Sequence, residues 1–295
     1  PGVLVSNFDW SAIYRAFAEQ LARDTRGDPD LLEDVRPSLA VAEEMYAAAR
    51  LVCRLPGATP SPVSYGRVAD VGWLCPALLR GDTASVGVPF AACRRRLERH
   101  IFGDAAESPD AGPMPVRKIV LVTFGGQPQQ AGAGLAVRRI HRHHVAGVSL
   151  GFVFATPDAE DQTKCCSHPA RTSKEARAAA FGGKSLGSVA ELTTLCDVVL
   201  CKPGYGTLCE AVASSATVVY VRREPEFVEE RYLVAALGRG AVQLSRGDFE
   251  QGAWSGAIGS ALAQEAIVAM KRVHESSLKG AEEICTLLKD IFKDF

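Results

Sequence analysis

From residue 117 onward the chain alternates two kinds of segment, and that alternation limits its fold more than any other feature. RKIVLVTF (117–124), VSLGFVF (148–154), DVVLC (197–201) and TVVYV (217–221) are short, almost wholly apolar runs. Stretches with helical character or strong turn signals separate them. GGQPQQAGAG leads to a helix ending in RRIHRHH, and a long polar loop precedes the short helix SVAELTTL, in which Ser188 and Glu191 have capping-box spacing. KPGYGT leads to a helix from about Leu208, and RREPE leads to a helix through FVEERYLVAAL. The tail from Ala257 to Asp294 reads as two helical segments parted near Lys279 and Gly280. Short buried strands joined through helices predict a parallel sheet with right-handed crossovers, a doubly wound α/β domain. In such sheets ligands bind beyond the carboxyl ends of the strands. Three of those ends carry unusual loops, at 124–134, 201–207 and 221–227.

The part before residue 116 is less regular. GVLVSNFDW (2–10) reads as a strand entering a polar loop, followed by a helix from Ser11 to about Arg23 with Ile13, Tyr14, Phe17 and Leu21 on one face. LAVAEEMYAAAR is a second helical stretch, and LVCRLPG a strand closed by Pro56 and Gly57. Four prolines between Pro56 and Pro76 predict irregular structure, and FAACRRRLERHIF an amphipathic helix. GDAAESPDAGPMP (103–115) has the composition of a linker. The expected domains are therefore 1–115 and 116–295. The chain opens on Pro1 with no basic, apolar leader, and is expected to be a fragment of a longer protein.

Composition narrows the function. With 33 basic residues against 34 acidic ones and a net charge of -1, there is no electrostatic reason to expect nucleic acid or an anionic membrane as partner. No apolar run approaches the ~20 residues that span a bilayer. The 9 cysteines are odd in number and form no C-x-x-C pair, which suits a reducing, cytoplasmic setting. Adjacent Cys165 and Cys166, and His141 with His144, each invite a metal reading; neither supplies a plausible ligand set, and no metal is expected.

CKPGYGTLCEA (201–211) is the segment with the most chemistry in it. Pro203 ends a strand, and Gly204 and Gly206 permit a backbone that a ligand can approach closely. Thr207 is expected as the N-cap, with Glu210 completing a capping box. The amides of the first turn would form an anion site. The same residues also make an ordinary tight strand-to-helix turn, and the local sequence leaves the two readings equal. Cys209 stands where a dinucleotide fingerprint needs its third glycine, and GGKS (182–185) is preceded by Ala178 where a P-loop needs glycine.

DVVLCKPGYGTLCEAVASSATVVYVRR resembles the nucleotide-sugar-binding half of GT-B glycosyltransferases of the family 28 type, which includes the peptidoglycan transferase and the monogalactosyldiacylglycerol synthases. FGGQP (124–128) is similar to the first Gly-rich loop of that domain. In more segments the chain resembles the glycosyltransferase-like region that precedes the sugar-kinase domain of plant L-arabinokinases. VSNFDWSAIY, CRLPG, FGGQP, KPGYGTLCEA, YVRRE with FVEERYL, and SRGDFEQGAW occur in its order.

The resemblance implies a GT-B-like protein of two Rossmann-like domains, the first incomplete. It implies a UDP-sugar as donor substrate, no cofactor, metal-independent transfer to a small-molecule or glycan acceptor in an interdomain cleft, and a possible covalent fusion to a sugar kinase. Gly125, Gly126 and Gln127 would then lie beside the pyrophosphate. Gly204, Tyr205, Gly206 and Thr207 would line the donor, Glu210 would hold the ribose, and Arg222, Arg223, Glu229 and Glu230 would border the sugar. Arginine there would stabilise the departing diphosphate, although Arg222 and Arg223 also fit a solvated loop tip. Asp9 is the best carboxylate for a general base, with Asn7 and Trp10 on the acceptor side; Asp9 fits an N-cap equally. The acid-rich EPEFVEE departs from the family pattern and leaves open a non-catalytic sugar-nucleotide-binding or scaffolding module.

Overall fold

The computed structural model describes residues 2–6, 10–24, 29–61, 66–75, 90–102, 116–124, 145, 147–155, 163–167, 179–180, 189–224 and 226–293. The helices are α1 (Trp10–Asp24), α2 (Pro29–Ala47), α3 (Phe90–Phe102), α4 (Val189–Thr194), α5 (Tyr205–Ala213), α6 (Glu230–Leu237), α7 (Arg246–Gln251), α8 (Ser255–Ala261), α9 (Gln264–Ser277) and α10 (Gly280–Ile291). The strands are β1 (Gly2–Ser6), β2 (Ala49–Arg54), β3 (Val68–Asp70), β4 (Val116–Thr123), β5 (Val148–Ala155), β6 (Thr163–Ser167), β7 (Ala179–Ala180), β8 (Val198–Cys201), β9 (Thr217–Tyr220) and β10 (Ala241–Gln243).

The residues fall into two compact units, one of 1–74, 224–236 and 276–295, the other of 75–223 and 237–275. The sequence reading draws one boundary, after residue 115. By contacts, α3, which precedes that point, packs with the second unit, whereas α6 and α10, which follow it, pack with the first.

The first unit holds a three-stranded parallel sheet in the order β1-β2-β3, with α1 against α2. Leu51, Val52 and Cys53 of β2 form its buried centre. Strand β3 interrupts a stretch expected to be irregular. Three residues carry no readable periodicity, and the strand is held by backbone bonds from Val52 N–H to Arg67 O (3.0 Å) and from Val71 N–H to Arg54 O (3.0 Å). Phe17, expected on the same face of α1 as Tyr14, is 53% exposed.

Two glycines set the packing in this unit. Gly57 has φ +76°, and a Cβ there would lie 2.8 Å from the Leu233 Cα of α6. Gly280 opens α10 against the Gly72–Trp73 backbone, where a Cβ would come within 2.8 Å of Trp73 O and closer still to Gly72 O. Glu283, one turn on, accepts from Gly72 N–H at 2.7 Å. Gly280→Ala should therefore force backbone apart and lower stability by about 1–3 kcal/mol, measurable by denaturant unfolding. Full stability in the alanine variant would refute the close approach.

The second unit holds a seven-stranded sheet in the order β10-β9-β8-β4-β5-β6-β7. From β10 to β5 all pairs are parallel, as expected. The polar stretch after β5 departs from expectation, because β6 and β7 extend the edge in antiparallel pairing. Edge pairing is made by backbone groups and needs no apolar run, so hydropathy does not reveal it.

Both faces of this sheet are covered. Val120, Val122, Phe152 and Leu200 meet Phe249, Trp254 and Ile258 of the α7–α8 region, with the Phe249 and Trp254 rings stacked at 5.3 Å. Ile119, Leu121 and Val153 meet Leu97 and Ile101 of α3 and Leu192 of α4. Gly151 lets α3 approach, since a Cβ there would lie 2.8 Å from the Phe102 ring. The fold is doubly wound, with helices on two faces.

A part-buried ion cluster fixes α3 to the sheet. Asp197, immediately before β8, accepts from Arg94 Nη2 (2.8 Å), Lys118 Nζ (2.9 Å) and Ile119 N–H (2.8 Å). Arg94 also donates to Glu98 and to Leu195 O. Burial alone would raise the Asp197 pKa, but the bonds from Ile119, Lys118 and Arg94 hold it below the ordinary carboxylate range.

Candidate functional site

The sheet order locates the site. The chain runs from β4 to β5 on one side and then returns to place β8 on the other side of β4. The β4/β8 pair is thus the topological switch point, where crossovers diverge and leave a crevice beyond the carboxyl ends. Thr123 and Cys201, the last residues of the two strands, are direct partners across it.

Beyond Cys201 come Lys202 and the buried Pro203, then Gly204 in extended conformation (φ −147°, ψ 139°) as the N-cap of α5. Leu208 N–H donates to Gly204 O at 3.0 Å, so helical bonding begins three residues before the expected cap. The expected capping box of Thr207 and Glu210 does not form. Thr207 is the third residue of the helix and Glu210 lies beyond its first turn. The reason is local: glycine takes the extended cap geometry directly after the proline, and the helix starts there.

No side chain caps α5, and the amides of its first turn stand at the positive end of the helix. A Cβ on Gly204 would lie 3.7 Å from Arg223 Nη2, which places that guanidinium beside the turn. A Cβ on exposed Gly206 would meet nothing within 4 Å. The structure thus brings Gly204, Gly206, Thr207 and Arg223 to one end of the sheet. Neither Arg222 nor Arg223 is fully exposed, unlike residues of a solvated loop tip.

Glu210 is half-buried on the same helix. Burial, and then the Cys75 sulfur beside it, push its pKa up to about 7. Sequence reasoning missed this neighbour, because Cys75 lies in a stretch without periodicity.

Glu229 and Glu230, expected beside the sugar, are 7% and 1% exposed and belong to the first unit, where Glu230 opens α6. Asn7, Asp9, Gly125, Gly126, Gln127, His141 and His144 lie outside the described residues, and Trp10 is described only as the first backbone position of α1. Among the described residues no three His, Cys, Asp or Glu side chains cluster as metal ligands, and no helix is long and apolar enough to cross a membrane.

No protein-family model matches the chain, and no curated protein does. Solved structures do. The glycotransferase of kitacinnamycin superposes with a TM-score of 0.54 at 13% identity, over 98% of this chain and 70% of that one. CalG4, the calicheamicin glycosyltransferase, superposes with a TM-score of 0.50 at 14% identity, over 99% of this chain and 68% of that one. The fold is that of the GT-B glycosyltransferases. In this GT-B-like fold the uncapped end of α5 lies at the switch point of the second unit.

Proposed function

We propose that the chain binds a UDP-sugar at the β8–α5 turn and transfers the sugar to an acceptor hydroxyl. The carrying observation is the convergence of the uncapped α5 terminus and the Arg223 guanidinium on Gly204 at the switch point. Two sources of positive potential on one glycine suit a diphosphate. Gly204, Gly206 and Thr207 offer backbone and hydroxyl donors to the phosphates, joined by the loop carrying Gly125, Gly126 and Gln127. As the bond from the sugar to the diphosphate breaks, charge grows on the leaving oxygen, and preorganised donors stabilise it without a resident metal. Glu210 accepts from the ribose hydroxyls. Asp9 is the proposed base, with Asn7 and Trp10 beside the acceptor, and Arg222 completes the proposed set.

The test is calorimetric titration of the full-length protein with UDP and a panel of UDP-sugars. Saturable binding, weakened in a folded Arg223→Ala variant, supports the reading; no binding by the wild type to any of them defeats it. Glu210→Ala should weaken UDP binding by about 1–3 kcal/mol. The pH sign follows from the carboxyl's elevation. Ribose hydroxyls donate best to the ionised form, which fills as pH rises through about 7. Affinity for a UDP-sugar, whose esterified phosphates do not titrate near neutrality, should therefore climb between pH 6 and pH 8 in the wild type and stay flat in Glu210→Ala.

The acid-rich loop favours a second reading. Glu224 and Glu226 are exposed just past Arg223, and their charge opposes a diphosphate. A sugar-nucleotide-binding module without turnover, fused to a kinase of the L-arabinose type, would show donor binding and no sugar release or transfer in an acceptor screen.

A further inference from the structure

The sheet of the first unit ends in a polar row. Its three strands are parallel and finish in register, so Ser6, Arg54 and Asp70, the last residues of β1, β2 and β3, are successive Cα partners. The row before it is Val5, Cys53 and Ala69. Residues paired in register share a face of the sheet. The three polar side chains therefore stand together at the carboxyl edge, where parallel sheets take ligands. Arg54 and Asp70 meet there as a fork. Arg54 Nε donates to Asp70 Oδ1 at 2.8 Å, and Nη2 donates to Oδ2 at 2.9 Å. The side chains are 41% and 76% exposed, and an ion pair so exposed contributes little to stability.

We propose that Arg54 and Asp70 bind a vicinal diol of a neutral carbohydrate, and that this carbohydrate is the acceptor. Binding of the diol stands on the pair itself; the acceptor role rests on the glycosyl-transfer reading above. A guanidinium has five N–H donors and a carboxylate about four acceptor positions. The fork uses two of each, and among the described residues no other group takes the remainder. Donors and acceptors therefore lie side by side on one exposed pair.

That pattern selects the class of ligand. Each hydroxyl of a diol accepts one hydrogen bond and donates another, so one hydroxyl accepts from Arg54 while its neighbour donates to Asp70. Hydrogen bonds to ionised groups are the stronger kind. The two charges cancel within the pair, so it offers no net attraction to an anionic or a cationic acceptor. An aromatic alcohol with a single hydroxyl meets only half of the fork. The chain leaves β1 at this same edge toward Asp9, the proposed base, three residues beyond Ser6.

The experiment titrates neutral methyl glycosides and short neutral oligosaccharides into the full-length protein without nucleotide, followed by saturation-transfer NMR. Deoxy analogues that lack one hydroxyl of the diol and a simple phenol complete the panel. A neutral glycoside should bind saturably, and its deoxy analogue should bind roughly tenfold more weakly. Asp70→Asn and Arg54→Lys should each cost a similar factor, with the melting temperature and UDP affinity of the wild type. The deoxy series on the wild type decides the matter if either variant does not fold. Unchanged glycoside affinity in both folded variants, or a deoxy analogue bound as well as its parent, overturns the proposal. UDP binding with no glycoside bound, or with only the phenol bound, overturns the diol site and leaves the donor reading standing. Glycoside binding that follows the pair, with no UDP binding, leaves the diol site and defeats the acceptor role together with the transfer reading.

Discussion

Gly206→Asp should fold as well as the wild type and fail to bind UDP. A Cβ at this position meets no atom within 4 Å, so no packing opposes the new side chain. The site is the second residue of α5, where a carboxylate interacts favourably with the helix end, by about 0.3–1 kcal/mol. Stability should rise slightly or stay level. The same carboxylate occupies the space proposed for a phosphate. Two like charges ~4 Å apart repel by about 4 kcal/mol at the effective dielectric of a protein surface, enough for a loss of roughly a thousandfold. Gly206→Asn separates charge from bulk, because it fills the same space without the charge and should lose much less. The pair of melting curve and titration decides the matter. Wild-type UDP affinity in a folded aspartate variant would reduce the β8–α5 turn to a structural turn.

Asp197→Ala should destabilise the second unit strongly, by about 3 kcal/mol. The side chain is only 20% exposed, and its removal strands Arg94 and Lys118, at 18% and 29% exposure, together with the Ile119 N–H. Because the charges are part-buried rather than fully buried, the lower end of the usual range for a broken buried pair applies. The pH dependence follows from the depressed pKa. The folded-state value lies below the unfolded one, so the stabilisation is fully present above the unfolded pKa of about 3.9 and fades as pH falls through the folded value. Chemical unfolding of the wild type from about pH 5 down to about pH 2 should show this loss, and Asp197→Ala should lack its share. An alanine variant as stable as the wild type would mean that Arg94 and Lys118 find other partners.

The sequence was most readable where residues were buried on two faces. Val198 to Cys201 and Thr217 to Tyr220 are continuous apolar runs because both sides of each strand are covered, and hydropathy reports that directly. Strand β3 and the edge strands β6 and β7 escape it, since backbone pairing at an edge leaves no hydropathic trace. The helix start at Tyr205 was misplaced for a different reason. Gly204 and Thr207 both suit an N-cap, and the choice between them depends on backbone geometry after Pro203. Nothing in the spacing of α6 or α10 says which core their apolar faces join. Such a face specifies that it is buried, not against what. Of the site, the glycines and Arg223 were legible as types in a loop, but their convergence on Gly204 is a property of strand order.

The chain passes between its two units at residues 74, 223, 236 and 275, and that has a consequence for biosynthesis. The first unit contains residues translated before those of the second unit and also α10, translated after them. Its sheet emerges early, yet Gly280 and Glu283 cannot dock on the Gly72 loop until more than two hundred further residues have been translated. At about 5–20 residues per second that is a wait of tens of seconds at the slower rate. The second unit, whose strands all lie between those points, is positioned to complete first. The order of folding would then invert the order of the sequence.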